Sequence, residues 1–148
     1  MSKTVSLFTF GSLTLPEVMQ AVTGRVFPAR RAWVPGYAAR LLRDECFPGL
    51  AEMDEQRAHG MFYQGVDRES LELIDRFEGD YYRRVKHFIM FSKQETGLGY
   101  IYLLKPYMQD ILTQEPWDED HFRRFHLTRF LHTCREFREN SRDSASER

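Results

Sequence analysis

Cysteine is scarce in this chain. Two residues, Cys46 and Cys134, do not make a disulfide framework, and the start of the sequence lacks the charged-then-apolar layout of a secretory leader. A reduced, cytoplasmic setting is the expectation. No apolar run approaches the roughly 20 residues that a membrane span needs, so no membrane partner is expected. Neither charge is in excess. The net of −1 gives no global pull toward nucleic acid, and the arginine pairs at 30–31, 83–84 and 123–124 read as solvated faces. Metal ligation is not expected either. His59, His87, His121, His126 and His132 are scattered, with no pair at the three- or four-residue spacing of a helical zinc site. The chain has no lysine-bearing phosphate loop and no three-glycine dinucleotide fingerprint. Ser12 has no recognisable histidine base, and Cys134 reads as core packing rather than as a nucleophile.

Aromatic bulk is what the chain has in plenty. With 12 Phe and 7 Tyr it is suited to strands and pockets, and 148 residues suffice for one domain with a real core. Residues 4–10 read as a strand that Gly11 breaks. Thr14-Leu-Pro-Glu17 has the form of a capping box opening a helix over about 15–23, stopped near Gly24. Strands are expected at 32–34 and 37–42, split by a Pro35-Gly36 turn. An irregular edge strand is expected at 46–53 and another strand at 59–66. Asp67 caps a helix over about 68–78. Two antiparallel strands, 82–92 and 98–104, are joined around Thr96-Gly97. The longest helix is expected at 118–139, with Phe122, Phe125, Phe130, Leu131, Cys134 and Phe137 on its apolar side. Strands outnumber helices and do not alternate with them strictly. The fold class is therefore α+β: a mostly antiparallel sheet or partly closed barrel with helices outside it. One domain over 1–139 and a frayed polar tail over 140–148 complete the expectation.

Two short stretches stand out. In "IDRFEGDYYRR", a step of about 100° per residue puts Glu78 between Leu71 and Ile74, inside the apolar half of its helix. A buried carboxylate is costly unless paired or hydrogen-bonded. Either Glu78 has a structural partner such as Arg84, or frays out at the helix end, or it lines a dry pocket that raises its proton affinity for acid–base work. In "LFTFGSL", a strand runs straight into Gly11-Ser12-Leu13 and then a helix. Backbone N–H groups at such a turn suit an anion, and Gly11 leaves room for close approach. On that reading Gly11→Val harms ligand binding more than stability.

Together these stretches resemble the gamma-glutamylcyclotransferase-like superfamily. "FTFGSL" is similar to its Y-G-S/T-L motif and "IDRFEGDYYRRV" to its L-D-x-F-E-G-x-x-Y-x-R-x-x-V segment. "CFPGL" resembles its Y-P-G-L turn, "HGMFYQGV" its G-x-L-Y-x-V strand and "GYIYLL" the A-x-x-Y strand that follows. "PWDEDHFRRFHLTRFL" looks like the final helix of the branch holding gamma-glutamylamine cyclotransferases and the avirulence-induced plant proteins. The likeness spans roughly residues 4–135. One position departs from it: the motif's tyrosine is Phe10 here, which removes a hydroxyl from the pocket.

The resemblance implies a small mixed, partly closed β-barrel with flanking helices. It implies release of 5-oxoproline from a small gamma-glutamyl amine or amide, with no metal or organic cofactor. Glu78 would be the general acid/base. Phe10, Gly11, Ser12, Leu13, Tyr82 and Tyr102 would line the substrate pocket. Two other readings keep the same pocket: a catalytically silent small-molecule-binding protein, and an acyltransferase or deprotecting enzyme acting on a gamma-glutamyl group of a larger molecule.

Overall fold

The structure is a computed structural model that describes residues 3–146, with side chains described as far as residue 142. Six strands form one mixed sheet: β1 (Val5–Thr9), β2 (Ala29–Leu42), β3 (Pro48–Val66), β4 (Tyr82–Met90), β5 (Thr96–Leu104) and β6 (Leu112–Pro116). Their order is β3-β1-β5-β4-β2-β6, and β2 also pairs with β3, so the first five close into a barrel while β6 lies outside on β2. β1 runs parallel to β5; the other pairs are antiparallel. The β2–β4 seam is thin, resting on the single bridge Trp33–Met90. The expected mixed, partly closed barrel is thus present, closed mainly by the long β2–β3 ribbon.

Four helices pack around it: α1 (Pro16–Thr23), α2 (Arg68–Glu78), α3 (Glu119–Phe125) and α4 (Leu127–Ser146). Strand alternation sorts the core in two. Phe8, Val34, Phe62, Ile89 and Ile101 meet in one cluster inside the barrel. Leu7, Tyr63, Tyr102 and Leu104 turn the other way and join α1, α2 and α4 in the second cluster.

Several boundaries differ from expectation, each for a physical reason. Pro35-Gly36 does not split β2. The dipeptide is absorbed as an irregularity in the β2–β3 ladder, Gly36 taking φ 82°, and pairing resumes at Tyr37 opposite Glu52. The segments 46–53 and 59–66 are accordingly one strand, β3, flanked by β1 and β2 rather than lying at an edge. The β4–β5 turn is closed earlier than expected, by Phe91 N–H donating to Glu95 O, so Thr96 and Gly97 belong to β5.

The long final helix is broken at His126, which leaves helical geometry at φ −127°. Before the break, on α3, Phe122 is buried while Phe125 is exposed, so Phe125 does not join the apolar side expected of it. β6 and the 3₁₀ turn before it were not anticipated. α4 continues to Ser146, through part of the expected polar tail; the last two residues of that tail lie outside the described residues. Among the described residues, no helix is long and apolar enough to cross a membrane.

The capping box also fails. Leu15 is the N-cap of α1, and its carbonyl accepts from Val18 and Met19 N–H. Thr14 instead closes a 3₁₀ turn over Ser12–Thr14, and its hydroxyl is buried without a partner. Glu17 turns outward to a two-pronged pair with Arg123.

Candidate active site

Asp67 starts the helix that delivers Glu78. Its carboxylate accepts from Ser70 N–H at 3.1 Å and from the Ser70 hydroxyl at 2.7 Å, an N-cap of the kind that stabilises a helix by about 1 kcal/mol. Eleven residues later α2 ends at Glu78. Gly79 takes φ 72°, a backbone state that suits glycine, and the chain turns into β4. The end of α2 and the start of β4 therefore meet the end of β1.

A cleft opens there, with a volume of about 70 Å³. Phe10, Gly11, Ser12, Leu13, Glu78, Tyr82 and Tyr102, the seven residues singled out in the sequence, all line it, together with Thr9, Phe47, Pro48, Phe77 and Phe130. Phe10, Ser12, Leu13, Pro48, Tyr82 and Tyr102 are buried, while Phe47, Phe77, Phe130 and Glu78 keep partial exposure. The three half-buried phenylalanines thus form the mouth. No lysine, arginine or histidine is among the lining residues.

Glu78 makes no hydrogen bond or ion pair with the described side chains. Burial, helped by the negative charge of Asp75, pushes its carboxyl up from the usual 4.5 to about 8. By area the residue is half-buried rather than sealed. Both facts fit a carboxylate packed among protein atoms on every side but the cleft. Arg84 is not its partner. That guanidinium makes two hydrogen bonds to Asp75, at 2.9 and 3.1 Å, and Tyr102 donates its hydroxyl to the same carboxylate at 2.6 Å.

Tyrosine hydroxyls pin the two loops that flank the cleft. Tyr63 on β3 donates to Leu13 O at 2.7 Å and holds the Ser12–Thr14 turn. Tyr82 donates to Pro48 O at 2.6 Å and holds the start of β3. Tyr82 therefore borders the cleft without orienting Glu78. The turn's first hydrogen bond runs from Thr14 N–H to Gly11 O, so the turn itself leaves the Ser12 and Leu13 N–H groups without acceptors. Phe10 serves two surfaces, belonging to the barrel-interior cluster and flooring the cleft.

Glycine at position 11 has a packing cause as well. A Cβ there would stand 2.7 Å from Pro48 Cδ and 2.9 Å from Cγ. Room for the proline ring, and not only for a ligand, requires its absence. Gly11→Val should therefore destabilise the fold by about 1–3 kcal/mol, as overpacking does, besides weakening ligand binding. Urea unfolding measures this; an unchanged midpoint would restore the purely open-loop reading.

Asp75 is the residue that sequence reasoning passed over. The helical wheel puts it in the polar half, yet it lies three residues before Glu78, a spacing at which side chains are neighbours. That spacing, read together with Arg84 two residues beyond Tyr82, was the available signal. Cys134 is fully buried, with its thiol pushed up to about 12 by burial, as core packing requires. Among the described residues no cluster of three potential ligands is arranged for a metal ion.

Known proteins share this arrangement of elements. The chain is 23% identical to AIG2-like protein B of Arabidopsis thaliana over 140 residues, 93% of this chain and 80% of that protein. AIG2-like protein A of the same plant is 25% identical over 139 residues, covering 90% and 81%. A solution structure of an Arabidopsis thaliana protein superposes with TM-score 0.65 at 24% identity, covering 93% of this chain and 92% of that one. A structure described as gamma-glutamyl cyclotransferase superposes with TM-score 0.62 at 11% identity, covering 70% and 68%. At those identities the structural likeness is one of fold. The sequence model of gamma-glutamyl cyclotransferase, AIG2-like, matches residues 7–119, the stretch that carries both the turn after β1 and Glu78, and the chain belongs to that family.

Proposed function

We propose that this protein is a cyclotransferase that releases 5-oxoproline from a small gamma-glutamyl amine or amide, with Glu78 moving the protons. One observation carries the reading. An unpaired carboxylate, its proton affinity raised to about 8, shares a cleft with a turn whose first N–H groups precede its own hydrogen bonds.

The chemistry asks for that pairing. The substrate's α-amine attacks its own γ-carbonyl and closes a five-membered lactam. Nucleophile and electrophile are tethered, so the protein has to fold the substrate and handle protons. The α-ammonium first gives a proton to Glu78. A peptide α-amino group titrates near 8 and one beside a free carboxylate somewhat higher, so transfer to an acid raised to about 8 is far nearer balance than transfer to an ordinary glutamate, which runs uphill by several pH units. Attack forms the new C–N bond and an oxyanion. Glu78 then returns its proton to the leaving nitrogen as the old C–N bond breaks. The attacking nitrogen sheds its second proton as the lactam forms, and the leaving amine departs as ammonium. Gly11, Ser12 and Leu13 backbone amides and the Ser12 hydroxyl serve the substrate's α-carboxylate or the oxyanion, since among the described residues no side-chain cation lines the cleft. Substrate and one carboxylate suffice, so this reading calls for no metal or organic cofactor and no macromolecular partner.

Incubation with a panel of gamma-glutamyl amines, gamma-glutamyl peptides and glutathione, following 5-oxoproline by mass spectrometry, tests the proposal. Product from any member supports it. Saturable binding without product from any member identifies a ligand-binding protein instead.

A further inference from the structure

We propose that Asp75 is a positioning residue for Glu78: it ties up the two groups that would otherwise engage that carboxylate, and so keeps it unpaired in the cleft. The inference rests on the acid–base role proposed for Glu78 and deepens it.

Among the described residues, the polar groups around Glu78 and Asp75 come from several elements. From its own helix comes Asp75. From β4 come Tyr82, whose hydroxyl is spent on Pro48 O, and Arg84. From β5 comes Tyr102, the register partner of Arg84. Glu45, in the segment before β3, is engaged with the Tyr81 hydroxyl at 3.3 Å. The turn after β1 and α4 contribute Ser12, Leu13 and Phe130 to the cleft and no charge.

Two of these groups would naturally seek Glu78. Arg84 is the cation paired with Asp75, one helical turn before Glu78, and Tyr102 is a hydroxyl donor on the cleft wall. Both are held by one carboxylate. Asp75 takes the guanidinium fork with both oxygens and the phenol with Oδ1. Arg84 is further seated over the Tyr100 ring, 4.4 Å from its centroid. A guanidinium fork bound by both prongs is fixed in geometry as well as in charge. The clamp spans α2, β4 and β5, so it also fixes how the end of α2 sits on the barrel.

Removing the clamp has a defined consequence. In Asp75→Asn the guanidinium loses its ionic partner one helical turn from Glu78, and the phenol loses its strongest acceptor. Both changes favour the ionised form of Glu78, as does losing the negative charge of Asp75 itself. Glu78 becomes a weaker base. Arg84→Met acts in the opposite sense, because it leaves the Asp75 charge uncompensated beside Glu78.

The test is a carbon-13 NMR titration of the Glu78 carboxyl, assigned with Glu78→Gln, in the free protein and its variants. Asp75→Asn should lower the midpoint by about one pH unit or more, which near pH 6 is about a tenfold larger ionised share. Arg84→Met should leave the midpoint at or above that of the parent. On a substrate that the parent turns over, the acid limb of kcat/KM should move the same way in each variant. A midpoint that Asp75→Asn does not move, or one that both substitutions lower alike, would overturn the proposal by showing mere loosening of the cleft. If Asp75→Asn does not fold, the Arg84→Met arm decides alone, a lowered midpoint being fatal. The titration needs no turnover, so absence of product across the panel sinks the proposed reaction without deciding the clamp.

Discussion

Glu78→Gln should lower the rate of 5-oxoproline formation by at least the 10²–10⁴-fold that general acid–base catalysis supplies, while substrate binding changes little. The amide has nearly the carboxyl's shape and fits among Phe77, Tyr82 and Tyr102 without a change of volume. It can donate and accept a hydrogen bond but cannot carry a proton from one nitrogen to another. The loss should fall on kcat with KM nearly constant, because the step removed belongs to the transition state. Steady-state kinetics on whichever panel member the parent consumes will show this. A variant within about threefold of the parent rate would remove Glu78 from the chemistry, and the family resemblance would then stand without the proposed mechanism.

Local signals in the sequence located the parts of the fold whose causes are local. Asp67 as a cap, the apolar period of α2 and Gly79 past its end act within one helix, and α2 lies where they place it. The β4–β5 hairpin was legible for the same reason, apart from its turn. Proline-glycine pairs misled, because whether Pro35-Gly36 turns a chain or bends a strand depends on β3, whose long ladder runs past it. The break at His126 has neither glycine nor proline to announce it. β6 has only half-buried and exposed residues, so no alternation marks it; it exists because β2 offers a free edge. Thr14 illustrates competition between two local options, with a 3₁₀ turn pinned by Tyr63 displacing the capping box.

The candidate site divides along the same line. Glu78 was legible as the one acid on the apolar side of α2, and Gly11 as the break after β1. What required coordinates was their meeting, and the traffic around them. Whether Arg84 pairs with Glu78 or with Asp75 depends on which carboxylate β4 reaches, and no spacing in one dimension settles that. The Pro48 ring against Gly11 is a contact across 37 residues, so the glycine was read for the ligand alone. Phe130 reaches the mouth of the cleft from α4, where its position in the helix explains burial but not which cavity it borders.

A carboxylate held out of water reports on itself through stability as well as rate. The Glu78 carboxyl is raised in the folded state, from 4.5 to about 8, so between those values the native chain holds a proton that the unfolded chain has released. Its contribution is fully present below about pH 4.5 and is lost as pH rises through about 8, with a slope of up to about 1.4 kcal/mol per pH unit. Asp67 works in the opposite sense. Its carboxyl is depressed by the hydrogen bonds from Ser70, which outweigh the desolvation that opposes them, and by the nearby Arg25, so its contribution fades as pH falls below the ordinary aspartate range. Stability should therefore peak in mildly acidic solution and decline toward pH 8. Glu78→Gln cannot ionise and should remove the decline between about pH 4.5 and 8, standing above the parent by on the order of 1–3 kcal/mol at pH 7 once partial exposure is allowed for. Urea unfolding of both proteins from pH 4 to 9 measures the difference curve directly. A difference that is flat with pH would mean that Glu78 titrates as an ordinary surface glutamate, and a base of that strength is too weak to take a proton from an α-ammonium group. The substitution that silences the chemistry is thus expected to be the one that stabilises the protein, because the same desolvation that makes Glu78 costly to ionise makes it a strong enough base.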